Sequence, residues 1–313
     1  VMGMVGCGSA DESQGDAKAD GEKGGYKIGL TNSFNGNSYR QQMEAYAQEA
    51  ADELTETGEI SEFVIVEANN DASKQVQQIE NFILEGMDAI IIDPISATAL
   101  TGAIQEASDA GIPCIIINDG PVESEAELCY QINFDTIDQM STLTEYVCEA
   151  IGGKGKIIEL RGTAGAEFDN IAHEGVLKAL ENYPDIEIVA EVYTDWTGSK
   201  AQSELASVLP TLDDVTGVVT QGGDSYAAVQ AFEAAGMELP VIGGYFLKWW
   251  ANEAPDGYDT ISVSSNPWDG ATGVYVACDI LSGEYEVPNE MVHPFAVVTK
   301  DEVENYKDMG DEE

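Results

Sequence analysis

The stretch "GMDAIIIDPISATALTGAIQEASDAGIPCIIINDG" confines the fold more than any other part of the chain. Within it, "AIII" and "CIII" are strand-length runs with no polar alternation, and "ATALTGAIQEASDAG" between them carries its apolar residues at helical spacing. A strand that is apolar on every residue must be covered on both faces. A helix between two such strands is the crossover that makes them parallel. The expected class is therefore α/β, a parallel sheet with helices on both sides.

The same alternation begins at Tyr26. "YKIGLTN" reads as a strand, "SYRQQMEAYAQEAADEL" as a helix, "EFVIVEA" as a strand and "ASKQVQQIENFILEG" as a helix closed by Gly86. After a break near "YQINFDTIDQ" the rhythm restarts. "DQMSTLTEYVCEAIGG", "AHEGVLKALENYP", "SKAQSELASVLPTL" and "SYAAVQAFEAAG" read as helices, and "KGKIIELRG", "IEIVAEVYTD", "GVVTQGG" and "LPVIGGY" as the strands among them. "TISVSSNP", a helix over "ATGVYVACDILSG" and a final "FAVVTKDEV" complete the chain. Two tandem runs of similar size, in a chain too long for one small core, imply two Rossmann-like lobes.

Charge removes whole classes of partner. The chain has 13 Lys+Arg against 58 Asp+Glu, a formal net charge of −45. Such a surface repels phosphate backbones, so no nucleic acid is expected as a partner. Hydrophobic residues at 43% with 8% aromatics are nevertheless a globular composition. The longest apolar runs are strand-sized, far short of a membrane span. Cys114 lies in an apolar strand and Cys148 and Cys278 lie in helical patterns, with no Cys-x-x-Cys spacing. Buried free thiols are the expected reading, with a disulfide through Cys129 left open. His173 and His293 stand far apart without ligand-like neighbours, so neither a metal nor a cofactor is expected. "GGKGK" lacks phosphate-loop spacing and runs into a strand, which makes it a turn, and "RGTAGAEFDN" lacks Gly-x-Gly-x-x-Gly.

The first residues have a separate logic. From Gly8 to Gly25 no apolar residue is larger than Ala, so the segment cannot offset its ordering entropy by burial and reads as a disordered tether. Met4-Val5-Gly6-Cys7 ahead of it resembles a bacterial lipobox, with Val1–Gly6 as the remnant of a signal peptide. Cys7 is then the lipidation site, and the chain is expected at the extracytoplasmic face of a membrane, held by an N-terminal lipid anchor.

Ligands of open parallel sheets bind beyond the carboxyl ends of the strands. Those positions hold Asn37, Tyr39 and Arg40 after the first strand, Asn118 and Asp119 after "IPCIII", and Asp169 and Asn170 after "KIIELR". Trp196, Gln221 with Asp224, and Tyr245 follow later strands. Flat aromatic faces mixed with amides and carboxylates suit a small polyhydroxylated ligand. Arg40 is one of only two arginines, and its planar fork suits either a cleft carboxylate, Asp93 or Asp119, or the ligand itself. Of Trp249 and Trp250, one is expected in the core and the other over the cleft. No Gly-x-Ser-x-Gly elbow occurs, and carboxylates are too abundant for their pairing to signal hydrolysis.

The order "YKIGLTNSFNGNSYRQQMEAYAQEAA", "ILEGMDAIIIDPISATALTGAIQEASDAGIPCIIIND", "GKGKIIELRGTAG" and "VTQGGDSYAAVQAFEAAG" resembles the ribose/galactose-type periplasmic binding proteins, the substrate-binding subunits of sugar ABC importers. The resemblance runs from about Tyr26 to Thr299. It implies the type I periplasmic-binding-protein fold, no catalysis, a monomer, and ABC permease subunits as partners. It places Asn37 at a polar ligand contact, and Tyr39 and Trp196 at stacking positions. Asn118-Asp119 stands in place of the usual Asp-Arg pair, Ala172 in place of a sugar-clamping Arg, Tyr245 in place of an Asp, and Ser265 in place of a Gln. The implied organisation is a leader and tether over 1–25, an N-terminal lobe over 26–133 plus 266–294, and a C-terminal lobe and tail over 134–265 plus 295–313. Crossings near 133–135, 264–267 and 290–296 would form the hinge. The expected role is capture of a monosaccharide or polyol by hinge closure and delivery to the permease, with a ligand-presenting sensor, and after it a cleft enzyme, as alternatives.

Overall fold

The two apolar runs are adjacent parallel strands, every residue from Ala89 to Asp93 buried. They belong to a computed structural model that describes residues 24–307 apart from 119, 223 and 266. The first half contributes β1 (Tyr26–Asn32), α1 (Ser38–Thr57), β2 (Ile60–Glu67), α2 (Ala72–Glu85), β3 (Ala89–Asp93), α3 (Thr101–Asp109), β4 (Cys114–Asn118) and β5 (Cys129–Phe134). The second follows with α4 (Thr136–Ala150), β6 (Lys154–Arg161), α5 (Glu167–Leu180), β7 (Asp185–Tyr193), α6 (Gly198–Val208), β8 (Val215–Thr220), α7 (Ser225–Ala235), β9 (Val241–Gly243) and α8 (Leu247–Asn252). Last come β10 (Ser262–Ser264), α9 (Asp269–Ser282), β11 (Glu290–His293) and β12 (Ala296–Val298).

Among the described residues the strands form two parallel sheets, ordered β11-β5-β4-β3-β1-β2 and β7-β6-β8-β9, with β10 and β12 an antiparallel pair. Each sheet is covered on both faces. On the first, α1 and α9 close one apolar cluster around Leu30, Ile91 and Ile117, while α2 and α3 close the other around Ile90, Phe82 and Ile104. On the second, α4 and α5 pack over Ile157 and Val219, and α6, α7 and α8 over Ile158, Val218 and Phe232. The chain passes from the first sheet to α4 after Phe134, returns to α9 after Ser264, and leaves again between β11 and β12. Asp135, at the first passage, caps α4 by accepting from the Asp138 N–H at 2.9 Å.

The two-lobed α/β architecture expected from the alternation, which is the type I periplasmic-binding-protein fold that the resemblance implies, is present, with three local departures. The segment read as a break contains β5, whose Tyr130, Gln131 and Asn133 are polar yet pair with β4. The run through Glu290–His293 is an added strand, parallel to β5. "LKWW" opens the short helix α8, and both Trp249 and Trp250 are buried in its core, so neither covers the cleft. Cys114, Cys129, Cys148 and Cys278 are buried and free; Cys114 and Cys129 face each other in register without a disulfide.

One close approach tests this packing. A Cβ on Gly270, at the start of α9, would fall on the backbone oxygen of Met43 in α1, whereas one on Gly273 would stand 3.1 Å from a methyl of Ile91. Overpacking of this kind costs about 1–3 kcal/mol. Gly270→Ala is expected to lower stability by that amount in denaturant titration, and Gly273→Ala by clearly less.

Candidate functional site

The first wall of the cleft is set by the N-terminus of α1. Asn37 is its N-cap, its side-chain oxygen accepting from the Arg40 N–H at 2.9 Å, which fixes Tyr39 and Arg40 in the first turn. Arg40 is buried and ion-paired with Asp93 at the end of β3. Its Nη1 also lies 3.4 Å from the side-chain oxygen of Asn32. The Tyr39 hydroxyl reaches Asp269 on α9 at 3.5 Å. Beneath Asp93, the buried amide of Gln75 donates to the Asp93 carbonyl at 2.8 Å and accepts from the Ile95 N–H at 3.0 Å, shaping the loop after β3.

The opposite wall rests on the other arginine. Arg161 at the end of β6 donates through Nε and Nη2 to the two oxygens of Asp169 at 3.1 and 2.7 Å, and through Nη1 to Glu191 at 2.6 Å. The forked pairing joins β6, β7 and α5. Gln221 is held by the same network: its oxygen accepts from the Gly162 N–H at 3.1 Å and its nitrogen donates to Glu159 at 3.1 Å. Glu159 in turn meets His173 Nδ1 at 2.8 Å. Burial raises the Glu159 pKa, opposed by His173 and Gln221.

Trp196 lies on this scaffold. Its ring packs on the backbone of Gly162 and Gly222, where a Cβ would collide with it, and edge-on against Phe168 at 5.9 Å. Asp195 and Trp196 both have left-handed backbones, φ 51° and 54°. That conformation costs free energy in residues with a Cβ and needs support. The support is Thr194, whose hydroxyl accepts from the Trp196 N–H at 3.1 Å and donates to the carboxylate of Asp224. Asp224 is completely buried, with its second oxygen unpartnered, and burial pushes its pKa up to about 6.

Two separate spaces lie between the lobes. A chamber of about 590 Å³ is lined by Phe34, Asn37, Arg40 and the loop after β3 on one side, and by Phe168, Asp195 and Trp196 on the other. A smaller one of about 80 Å³ adjoins the crossings, with Tyr39, Gln139, Gln221, Tyr245 and Ser265 in its wall. Of the residues expected from strand ends, Asn37, Tyr39, Arg40, Trp196, Gln221 and Tyr245 line these spaces. Asp169 and Asp224 are fully buried within the C-terminal wall and support it, and Asn170 is exposed. Asn118 ends β4, while Asp119 and Cys7 lie outside the described residues. Ala172 is fully buried in the apolar cluster under α5. Of the two carboxylates considered for Arg40, Asp93 is paired with it.

Phe34, Phe168 and Gln139 were not anticipated. Phe34 and Phe168 lie in strand-end stretches from which only polar or stacking residues were singled out, whereas Gln139 sits on α4, where periodicity registers only a face. Glu159, His173 and Glu191 bring donor atoms within 4.8 Å of one another, a cluster invisible in the spacing of the two histidines. Each is already engaged, His173 with Glu159 and Glu191 with the Arg161 cation.

The chain matches the periplasmic binding protein domain family over residues 28–285. It is 27% identical to a xylitol-binding protein of Mycolicibacterium smegmatis, over 97% of this chain and 83% of that protein. Among solved structures, an ABC transporter solute binding protein from Thermobispora bispora superposes with a TM-score of 0.82 at 31% identity, covering 92% of this chain and 89% of that one. A second, from Bacillus halodurans with bound myo-inositol, gives a TM-score of 0.80 at 26% identity, covering 92% and 99%.

Asp224 makes the wall pH-sensitive. An acid with a raised folded-state pKa binds its proton more tightly when folded, so the stability contributed by that proton is lost progressively as pH rises from about 4, and the loss is complete above the folded value near 6. Asp224→Asn removes that loss. It is expected to stabilise the protein by about 2–3 kcal/mol at pH 8 and by little at pH 4, measured by denaturant titration at both.

Proposed function

The chain belongs to the periplasmic binding protein family, and on that premise we propose that it captures a small neutral polar solute, a monosaccharide or polyol, outside the cytoplasm and delivers it to an ABC permease. The observation that carries this reading is the chamber of about 590 Å³ walled from both lobes by Phe34, Phe168 and Trp196, with Asn37 and Arg40 beside Phe34. Aromatic faces cover the C–H surfaces of a sugar while amides and the guanidinium take its hydroxyls. The xylitol-binding relative and the neighbour holding myo-inositol supply the ligand class.

The lobes are 26–133 plus 266–294 and 134–265 plus 295–313. A ligand that touches both favours the closed arrangement by its differential affinity for it, and the permease reads that population. No reaction is assigned to the site. The charged groups described along the larger chamber, Arg40 and Asp195, are engaged by Asp93 and by Lys200. The protein acts as a monomer held at the membrane through a lipid on Cys7.

A melting-temperature screen against xylitol, myo-inositol, D-ribose, nucleosides and amino acids tests the ligand class, because a ligand at 100 times its Kd adds about 2.7 kcal/mol to stability. A rise with one sugar or polyol is expected; a rise confined to nucleosides or amino acids would overturn the assignment. Trp196→Ala removes an aromatic face with a burial value of about 1.5–3 kcal/mol, so affinity for the sugar that binds should fall roughly 10- to 150-fold by calorimetry.

A further inference from the structure

Gln139 stands in the first turns of α4, directly after the chain leaves the first sheet. It is 6% exposed, it lines the smaller chamber, and its side-chain oxygen is buried with no hydrogen-bond partner. A buried acceptor left unpaired is costly, and native structures retain one chiefly where something else completes it. The neighbours do not. Gln221 has committed its amide to Gly162 and Glu159, and the Thr220 hydroxyl is paired with Ser225 at 2.6 Å.

The chamber is also free of formal charge. Tyr39, Gln42, Met140, Tyr245, Ser264 and Ser265 are typical of its described lining, which includes no Asp, Glu, Lys or Arg. A carboxylate or ammonium group entering it would lose its hydration without gaining a counter-ion. A hydroxyl would lose little and would supply the proton that Gln139 lacks. At about 80 Å³ the space suits the end of a polyol or one edge of a sugar ring, not a second sugar.

We propose that Gln139 is a specificity-determining ligand contact, its side-chain oxygen accepting a hydrogen bond from an uncharged hydroxyl that the bound solute inserts into the chamber beside the crossings. This rests on the binding-protein reading above and narrows it to ligands whose inserted end is neutral and donates a proton. Because the chamber takes residues from α1, α4 and the crossing before α9, a hydroxyl placed there touches both lobes near their hinge.

The test uses the full chain and its Gln139→Leu variant, titrated calorimetrically with xylitol, myo-inositol and D-ribose, and with xylonate and glucuronate as carboxylate counterparts. For whichever neutral probe the wild type binds, Gln139→Leu is expected to weaken binding at least tenfold. The ligand-free melting temperature should stay level or rise, since an unpaired buried amide has been replaced by an apolar group of similar size. The carboxylate counterparts should bind the wild type at least tenfold more weakly than the neutral probe. Affinity of Gln139→Leu within twofold of wild type overturns the inference alone, as does a fall in its ligand-free melting temperature or equal binding of a carboxylate counterpart. Wild-type protein that binds none of the neutral probes overturns the sugar reading, and this inference with it.

Discussion

The cleft depends on where an acidic chain puts its two arginines. With 58 carboxylates against 13 Lys+Arg, most acidic groups must remain in water, and two of those buried at strand ends, Asp93 and Asp169, are each met by an arginine. Arg40 meets Asp93 between α1 and β3, and Arg161 meets Asp169 and Glu191 among β6, β7 and α5. Each lobe thus has one guanidinium at the carboxyl ends of its strands. In the two pairs buried on both sides, Arg40–Asp93 and Arg161–Asp169, removing either partner strands a buried charge at a cost of about 3–5 kcal/mol, so these positions tolerate little change. Lysine could not substitute, because the Asp169 contact uses two parallel donors and the Glu191 contact a third.

The fold was legible because its strands are buried on both faces. β3 and β4 are continuous apolar runs whose neighbours could only be helices, and those runs alone settle the parallel sheet. Legibility failed where burial is one-sided or an element is short. β5 mixes Cys129, Ile132 and Phe134 inward with half-buried Tyr130, Gln131 and Asn133, a pattern that reads as a loop beside the Asp-Thr helix start. β11 is four residues between prolines, and α8 is six residues carrying two tryptophans, too short for any period to be counted.

The site divides along the same line. Tyr39, Trp196 and Tyr245 were accessible because strand ends point to the crevice whatever the side chain is. What each polar residue does there was not. Asp169, Gln221 and Asp224 have the composition of ligand contacts, yet their polar atoms are largely taken by Arg161, Gly162, Glu159 and Thr194. A one-dimensional sequence gives residue type and approximate depth. It does not say whether a carboxylate faces forward to the ligand or backward to an arginine ten residues or fewer away.

That backward-facing layer explains why the C-terminal wall can hold an unfavourable backbone. Two successive left-handed residues and a completely buried carboxylate are each destabilising, and they lie in one chain of contacts, Asp224 to Thr194 to the Trp196 N–H. Bulk alone would not keep Trp196 in place, because the ring rests on Gly162 and Gly222, which offer only backbone. The hydrogen bond to Thr194 and the edge of Phe168 hold it instead. The aromatic face is therefore preset before any solute arrives, and the entropy of ordering it does not fall on binding. Local instability and a ready-made surface are two results of the same geometry: the groups behind the wall are committed to one another, and the conformation they support would not persist without them.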